Sequence, residues 1–126
     1  MNFRTPLARA RGLGSAKSGT HHWWMQRLTA VALVPLSLWF VASLLTVVTA
    51  DHATAVAWLR SPLVAILASA LIVAVFYHGQ LGIQVVLEDY VHSESLKLVA
   101  IVVTMFLSLL LAIASLFAVL SIAFVS

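Results

Sequence analysis

The chain contains no cysteine and very few charged side chains. Without cysteine it can form neither a disulfide nor a thiolate metal site, and it has no thiol nucleophile. Only 9% of its 126 residues are charged, whereas 63% are apolar, and a soluble domain of this size has too little interior for so much apolar surface. The small basic excess comes from residues near the N-terminus, which indicates membrane topology rather than nucleic-acid binding. The low charge and the high apolar content together exclude a soluble catalytic domain.

Three long segments without charged side chains account for the apolar composition: Leu28–Ala50, Ser61–Leu87 and Leu98–Ser126. Each is longer than the roughly 20 residues that a helix needs to cross a bilayer. The sequence therefore predicts an all-α membrane protein with transmembrane helices at about 24–48, 62–88 and 97–125. Residues 20–126 form the anchor domain in this interpretation, and residues 49–60 are a short loop. Any chemistry must lie in or beside the membrane, or belong to a partner.

The N-terminal segment, residues 1–19, is predicted to be flexible and cytoplasmic. It holds four basic residues and no acid, and basic flanks stay on the cytoplasmic side of a membrane. Three spans then place the C-terminus in the periplasm. An Arg-rich, acid-free N-terminus is also typical of a mitochondrial presequence, so the mitochondrial inner membrane is the alternative to a bacterial inner membrane.

The apolar body of the second span carries a single histidine, His78. On a helix, His78 and Asp89 return to within about 20° of each other and lie roughly 16 Å apart along the axis. Gly82 shares this face and leaves room for a large flat group near the backbone. An intramembrane histidine is a functional-site hypothesis by default, and the alternative is a histidine that only hydrogen-bonds a neighbouring helix.

One histidine without a second ligand on the same helix turn does not predict a zinc site, which needs about four ligands. Haem differs, because the porphyrin supplies four nitrogens and a chain need donate only one imidazole. At the inner end of the span, a tyrosine hydroxyl at Tyr90 can donate to a quinone carbonyl and the Asp89 carboxylate can relay protons. Tyr and acidic residues are also ordinary at a membrane boundary.

The stretch that opens the first span, residues 20–27, holds two histidines, two tryptophans and one arginine. Tryptophans at this position are typical of the membrane interface. Arg27 can extend to the lipid headgroups or bind an anion such as a propionate. His21 and His22 are either solvated at the interface or line a site.

Two motifs together resemble a known family. Tyr77-His78-Gly79-x-x-Gly82 followed by Glu88-Asp89-Tyr90-Val91 resembles the small hydrophobic membrane-anchor subunit of succinate dehydrogenase, respiratory complex II. The opening Gly14-Ser-Ala-Lys-Ser-Gly-Thr-His-His-Trp-Trp-x-x-Arg27-x-Thr29-Ala30 is similar to the α-proteobacterial form of that subunit. The three-span layout extends the resemblance over the whole chain.

The resemblance implies a cytochrome b-type anchor in a helical bundle with a companion anchor subunit. His78 would be one axial ligand of haem b, and Gly79 and Gly82 would pack close to the haem. Ubiquinone would be bound by Tyr90, Asp89 and Trp24. A haem propionate or the quinone pocket would be contacted by Arg27, His21 and His22. FAD and iron–sulfur clusters would belong to two soluble partners, a flavoprotein and an iron–sulfur subunit, and the chain would have no activity alone.

Other functions compatible with the sequence remain open. The nearest is the anchor of a fumarate reductase, which runs the reaction in the opposite direction with menaquinone. A small structural or assembly membrane protein without a cofactor is a different class. A transporter or channel fits less well, because few polar residues lie within the spans.

Overall fold

The computed structural model describes residues 13–125, with side chains from Thr20 onward. All regular secondary structure in the described chain is helical. Its four helices are α1 (Leu13–Val47), α2 (His52–Arg60), α3 (Pro62–Tyr90) and α4 (Glu94–Phe124). Three are long and apolar enough to cross a membrane, over Thr20–Val47, Pro62–Tyr90 and Glu94–Phe124. Helices form here because a backbone inside lipid must satisfy its own hydrogen bonds. The predicted all-α fold with three spanning helices is confirmed.

The ends of the helices follow local sequence signals. Pro62 occupies the first turn of α3, where its missing N–H costs nothing. Ser93 caps α4 by accepting a hydrogen bond from the Leu96 backbone N–H at 3.4 Å. Helix α1 continues through Pro35 and begins at Leu13, before the predicted span, because hydropathy locates the part of a helix that lies in lipid and not its ends. The remainder of the predicted N-terminal segment, residues 1–12, lies outside the described residues.

The prediction of a loop at residues 49–60 is wrong for residues 52–60, which form α2. Asp51 caps this short helix by accepting a hydrogen bond from the Thr54 backbone N–H at 2.9 Å. Two contacts hold α2 against the long helices. Trp58 stacks on Trp39 of α1 with ring centroids 6.1 Å apart, and the Arg60 Nε donates to the Ile122 carbonyl of α4 at 3.4 Å. Helix α2 therefore closes one end of the structure.

The three long helices form a row with α3 in the middle. Helix α3 contacts both α1 and α4, whereas the described parts of α1 and α4 do not contact each other. The only buried apolar residues among those described lie on α3: Ala65, Ala68, Ala74 and Leu81. Between α3 and α4 lies an apolar cleft of about 520 Å³ whose lining includes Ser108 and Ala112. A row of helices leaves two broad apolar faces, which only lipid or other membrane helices can cover.

Candidate functional site

His78 lies half-buried on α3, on the side that faces α1. Its Nδ1 is 3.0 Å from the hydroxyl oxygen of Thr29 on α1. The same hydroxyl lies 2.7 Å from the Met25 carbonyl oxygen and 3.1 Å from that of Gln26. Within the described part of the chain, the other ring nitrogen, Nε2, has no hydrogen-bond partner. The imidazole is therefore attached to α1 through one nitrogen, and its second nitrogen is available.

A second contact fixes the antiparallel register of α1 and α3. A Cβ added to Gly82 would lie 3.9 Å from the Gln26 side-chain nitrogen, one turn from the Thr29–His78 contact. In this register Arg27 lies within about 4 Å of the level of His78 along the helix axes. Tyr90 lies twelve residues beyond His78, which is about 18 Å along α3. The site residues therefore fall on two levels along the helices, one at the depth of His78 and the other at the end of α3.

The two glycines beside His78 have different surroundings. A Cβ at Gly79 would meet no atom within 4 Å, so this side of α3 is open within the described chain. The space beside Gly82 is bounded by Gln26, at ordinary van der Waals distance. Room for a large flat group next to His78 is therefore found at Gly79 rather than at Gly82.

Four predicted residues near the start of the first span point in different directions. His21, Trp24 and Arg27 are exposed, whereas His22 is half-buried with its Nε2 enclosed and unpartnered in the described structure. The Arg27 guanidinium lies 4.8 Å from the centroid of the Trp23 ring, a cation–π distance. Trp24 meets the same ring edge to face at 5.0 Å. The structure thus places Arg27 and Trp24 on an outer surface and turns His22 inward.

Asp89 and Tyr90 form the exposed end of α3. Tyr90 is 76% exposed, and neither side chain has a hydrogen-bond partner among the described residues. By the register above, they lie opposite residues 17–19 of α1 and not opposite Arg27 or Trp24. The structure therefore does not bring the predicted quinone-binding residues of the two helices together within this chain.

Several polar residues near His78 were not singled out from the sequence. Thr29 contacts the imidazole directly, and the carbonyl oxygen of the Gln26 side chain is buried without a partner in the described structure. On another face of α3, Gln80 donates to Gln84 at 3.2 Å and Gln84 donates to Glu88 at 3.1 Å. The four-residue spacing of Gln80, Gln84 and Glu88 is visible in the sequence and predicts side-chain hydrogen bonds along one face of the helix. The partner of His78 had no such signal, because it lies 49 positions away in the sequence.

The available ligands suit a haem better than a bare metal ion. The described residues contain no group of three or more His, Cys, Asp or Glu side chains able to hold a metal. An axial haem position requires only one imidazole nitrogen. His78 meets that requirement, since Nδ1 is already paired and Nε2 is not, and Gly79 leaves space beside it.

Fold and site together define a class of protein. It is a membrane anchor of three long apolar helices, with a half-buried histidine in the middle one, an arginine of the first helix near the same level, and no soluble domain in the described chain. The profile of the succinate dehydrogenase/fumarate reductase transmembrane subunit family matches residues 1–122. The chain belongs to this family, which confirms the resemblance found in its motifs.

Individual relatives agree with this assignment. The chain is 36% identical to the succinate dehydrogenase hydrophobic membrane anchor subunit of Rickettsia bellii over 118 residues, covering 94% of each chain. It is 34% identical to the subunit of the same name from Rickettsia conorii, covering 81% of this chain and 82% of the relative. It is 28% identical to that of Paracoccus denitrificans, covering 77% and 75% respectively. No solved structure matches the chain.

Proposed function

We propose that the chain is the hydrophobic membrane-anchor subunit of a succinate:ubiquinone oxidoreductase in a bacterial inner membrane. Family membership and the names of the relatives support the anchor role. The observation that carries the haem assignment is the imidazole of His78 within the second span, where Nδ1 is paired and Nε2 has no partner among the described residues. A histidine at this depth is rare and marks a functional site by default.

His78 would supply one axial ligand of haem b through Nε2, and a companion anchor subunit would supply the other. Haem b, when bound, would accept and return single electrons beside the quinone site. Arg27 would pair with a haem propionate, because it lies near the level of His78 and about 14 Å from the level of Tyr90. The open side of α3 at Gly79 would face the haem, whereas the space at Gly82 is bounded by Gln26 and would let that side chain, rather than the haem, approach the helix.

Ubiquinone reduction would take place at the inner end of α3, where two electrons and two protons reach the quinone. The Tyr90 hydroxyl would donate a hydrogen bond to a quinone carbonyl, and the adjacent Asp89 would hold or pass a proton from the aqueous side. Both side chains are exposed and free of partners in the described chain, so they are available to a substrate. His21 and His22 would border this pocket from the start of the first span, because they lie nearer to the level of Tyr90 than Arg27 does. Trp24 lies on an outer surface and would reach the quinone only where a companion subunit closes the pocket.

The remaining subunits would complete the assembly. A flavoprotein and an iron–sulfur subunit would dock on the cytoplasmic side, where the N-terminus and the end of α3 lie in the proposed topology. The companion anchor subunit would cover one face of the helix row. This arrangement is supported by the many large apolar side chains that are exposed on all three long helices.

The haem assignment is tested by purifying the tagged chain in mild detergent and recording a reduced-minus-oxidised spectrum. A flavoprotein, an iron–sulfur protein and a b-type haem signal should co-purify. His78→Ala should lose or alter the haem signal, whereas His52→Ala, at the exposed start of α2, should not. An unchanged spectrum in His78→Ala would refute the ligand role, and a colourless chain that purifies alone would refute the enzyme assignment.

The quinone site is tested with the two tyrosines of the chain. Tyr90→Phe should slow quinone reduction by succinate while leaving succinate oxidation by an artificial dye intact, because only the hydrogen bond to the quinone is removed. Tyr77→Phe is the control, since Tyr77 lines the cleft between α3 and α4. An equal loss of both activities in Tyr90→Phe would contradict a role at the quinone.

A further inference from the structure

We infer that Thr29 is a positioning residue that sets the tautomer and orientation of His78, so that Nε2 presents its lone pair to a haem iron. The inference rests on the proposed haem binding and adds a residue of the chain to it. It starts from one hydroxyl group that lies within hydrogen-bond distance of three atoms on two helices.

The positions of the hydrogens follow by elimination. A threonine hydroxyl has one hydrogen to donate and two lone pairs to accept with. The Met25 carbonyl oxygen is only an acceptor, and two oxygens 2.7 Å apart need a hydrogen between them, so we assign the hydroxyl hydrogen to this shortest of the three contacts rather than to the Gln26 carbonyl at 3.1 Å. With its hydrogen used within α1, the hydroxyl can only accept from His78. Nδ1 of His78 therefore carries the N–H and donates it across the 3.0 Å contact.

The tautomer of the neutral ring follows from this bond. A neutral imidazole with a proton on Nδ1 has none on Nε2, so Nε2 keeps the lone pair that a metal ligand needs. The same bond restrains rotation of the ring, because Thr29 is itself held by the backbone of α1. Histidine ligands of metals commonly donate a hydrogen bond from their second ring nitrogen in this way. That bond orients the ring and makes the other nitrogen a stronger electron-pair donor to the metal.

A simpler alternative is that the bond only holds α1 to α3. Hydrogen bonds between membrane helices have that effect, although each contributes little. The two roles differ in what they change at the haem. A stronger imidazole donor favours the oxidised iron, so removal of the hydrogen bond should raise the midpoint potential of the haem. A purely structural bond would affect assembly and leave the potential unchanged.

The experiment uses the complete purified complex and three variants. Thr29→Val removes the hydroxyl at nearly constant shape, and Thr29→Ser restores a hydroxyl. Thr104→Val is the matched control, because Thr104 on α4 donates the same 2.7 Å bond to the carbonyl four residues earlier and has no hydrogen bond to a histidine among the described residues. The readouts are the haem-to-flavin ratio, the low-spin electron paramagnetic resonance spectrum of the oxidised haem, and its midpoint potential.

We expect Thr29→Val to raise the midpoint potential, alter the resonance spectrum and retain haem about tenfold less well. Thr29→Ser should restore all three and Thr104→Val should match the wild type. Wild-type spectrum, potential and retention in Thr29→Val would overturn the inference while leaving the proposed function intact. Loss of assembly in both Thr29→Val and Thr29→Ser would also overturn it, since it would make the residue a packing element. A wild-type complex without haem b would refute the haem assignment itself.

Discussion

Gly79 provides a test of which surface of the anchor meets its partners. In a helix interior, Ala is favoured over Gly by about 0.8–1.0 kcal/mol, and a Cβ at position 79 would meet nothing within 4 Å in the described chain. Contacts within the chain therefore give no reason for glycine here. We attribute it to an approach from outside, by the haem or by a helix of the companion subunit, and we predict that Gly79→Leu disrupts that contact.

The size of the effect follows from these surroundings. Gly79 is exposed and a Cβ there meets nothing within 4 Å in the described chain, so we expect a leucine to be accommodated without a change in the helical content of the chain. If the space is occupied in the complex, the added side chain overpacks it at a cost of about 1–3 kcal/mol. This corresponds to about 5- to 150-fold weaker retention of the haem or of the companion subunit. Gly79→Ala adds a single methyl group and should have a smaller effect.

The assay is the haem-to-flavin ratio and subunit composition of the purified complex, together with circular dichroism of the variant chain. Ala114→Leu is the control, because it adds a leucine on an exposed side of α4. A Gly79→Leu complex with wild-type haem and a full set of subunits would refute the reasoning, since this side of α3 would then face only lipid. Loss of helicity in the variant chain would refute it in a different way, by showing that the site is crowded within the chain.

Two further predictions concern α2. Hydrogen bonding to Thr54, through its side chain and then its backbone N–H, lowers the pKa of the Asp51 carboxyl below its ordinary value. Stabilisation of α2 by this cap should be complete above the ordinary pKa and be lost as the pH falls through the lowered one. The fluorescence of Trp58, followed as the pH is lowered, should report that loss in the wild type and not in Asp51→Asn. Identical pH titrations of the two proteins would contradict the role of the Asp51 carboxylate. Trp58→Ala removes the stack on Trp39, so amide hydrogen exchange in α2 should accelerate about 2- to 12-fold, whereas Trp23→Ala should leave it unchanged.

Much of the fold was predictable from the sequence because lipid imposes a strong local constraint. A segment that crosses a membrane as a helix must be long and apolar, so hydropathy predicted three segments that the structure forms as helices able to cross a membrane. Pro62 marked the start of α3, where the structure also begins the helix. The family followed from two short motifs. Helix α2 was missed because nine residues of mixed polarity have weak hydropathy, although its cap at Asp51 was visible in the sequence.

The arrangement of the site depended on the tertiary structure. Sequence periodicity placed His78 and Asp89 on one face of a helix, but it could not show which helix that face meets. The partner of His78, the bounding of Gly82 by Gln26, and the separation of Arg27 from Tyr90 all depend on the register between α1 and α3. That register joins residues about fifty positions apart, and it is set by packing between helices rather than by any local preference of either one. The sequence alone determined the membrane-spanning helices and the residues able to do chemistry, and the packing of α1 on α3 decided how those residues are paired.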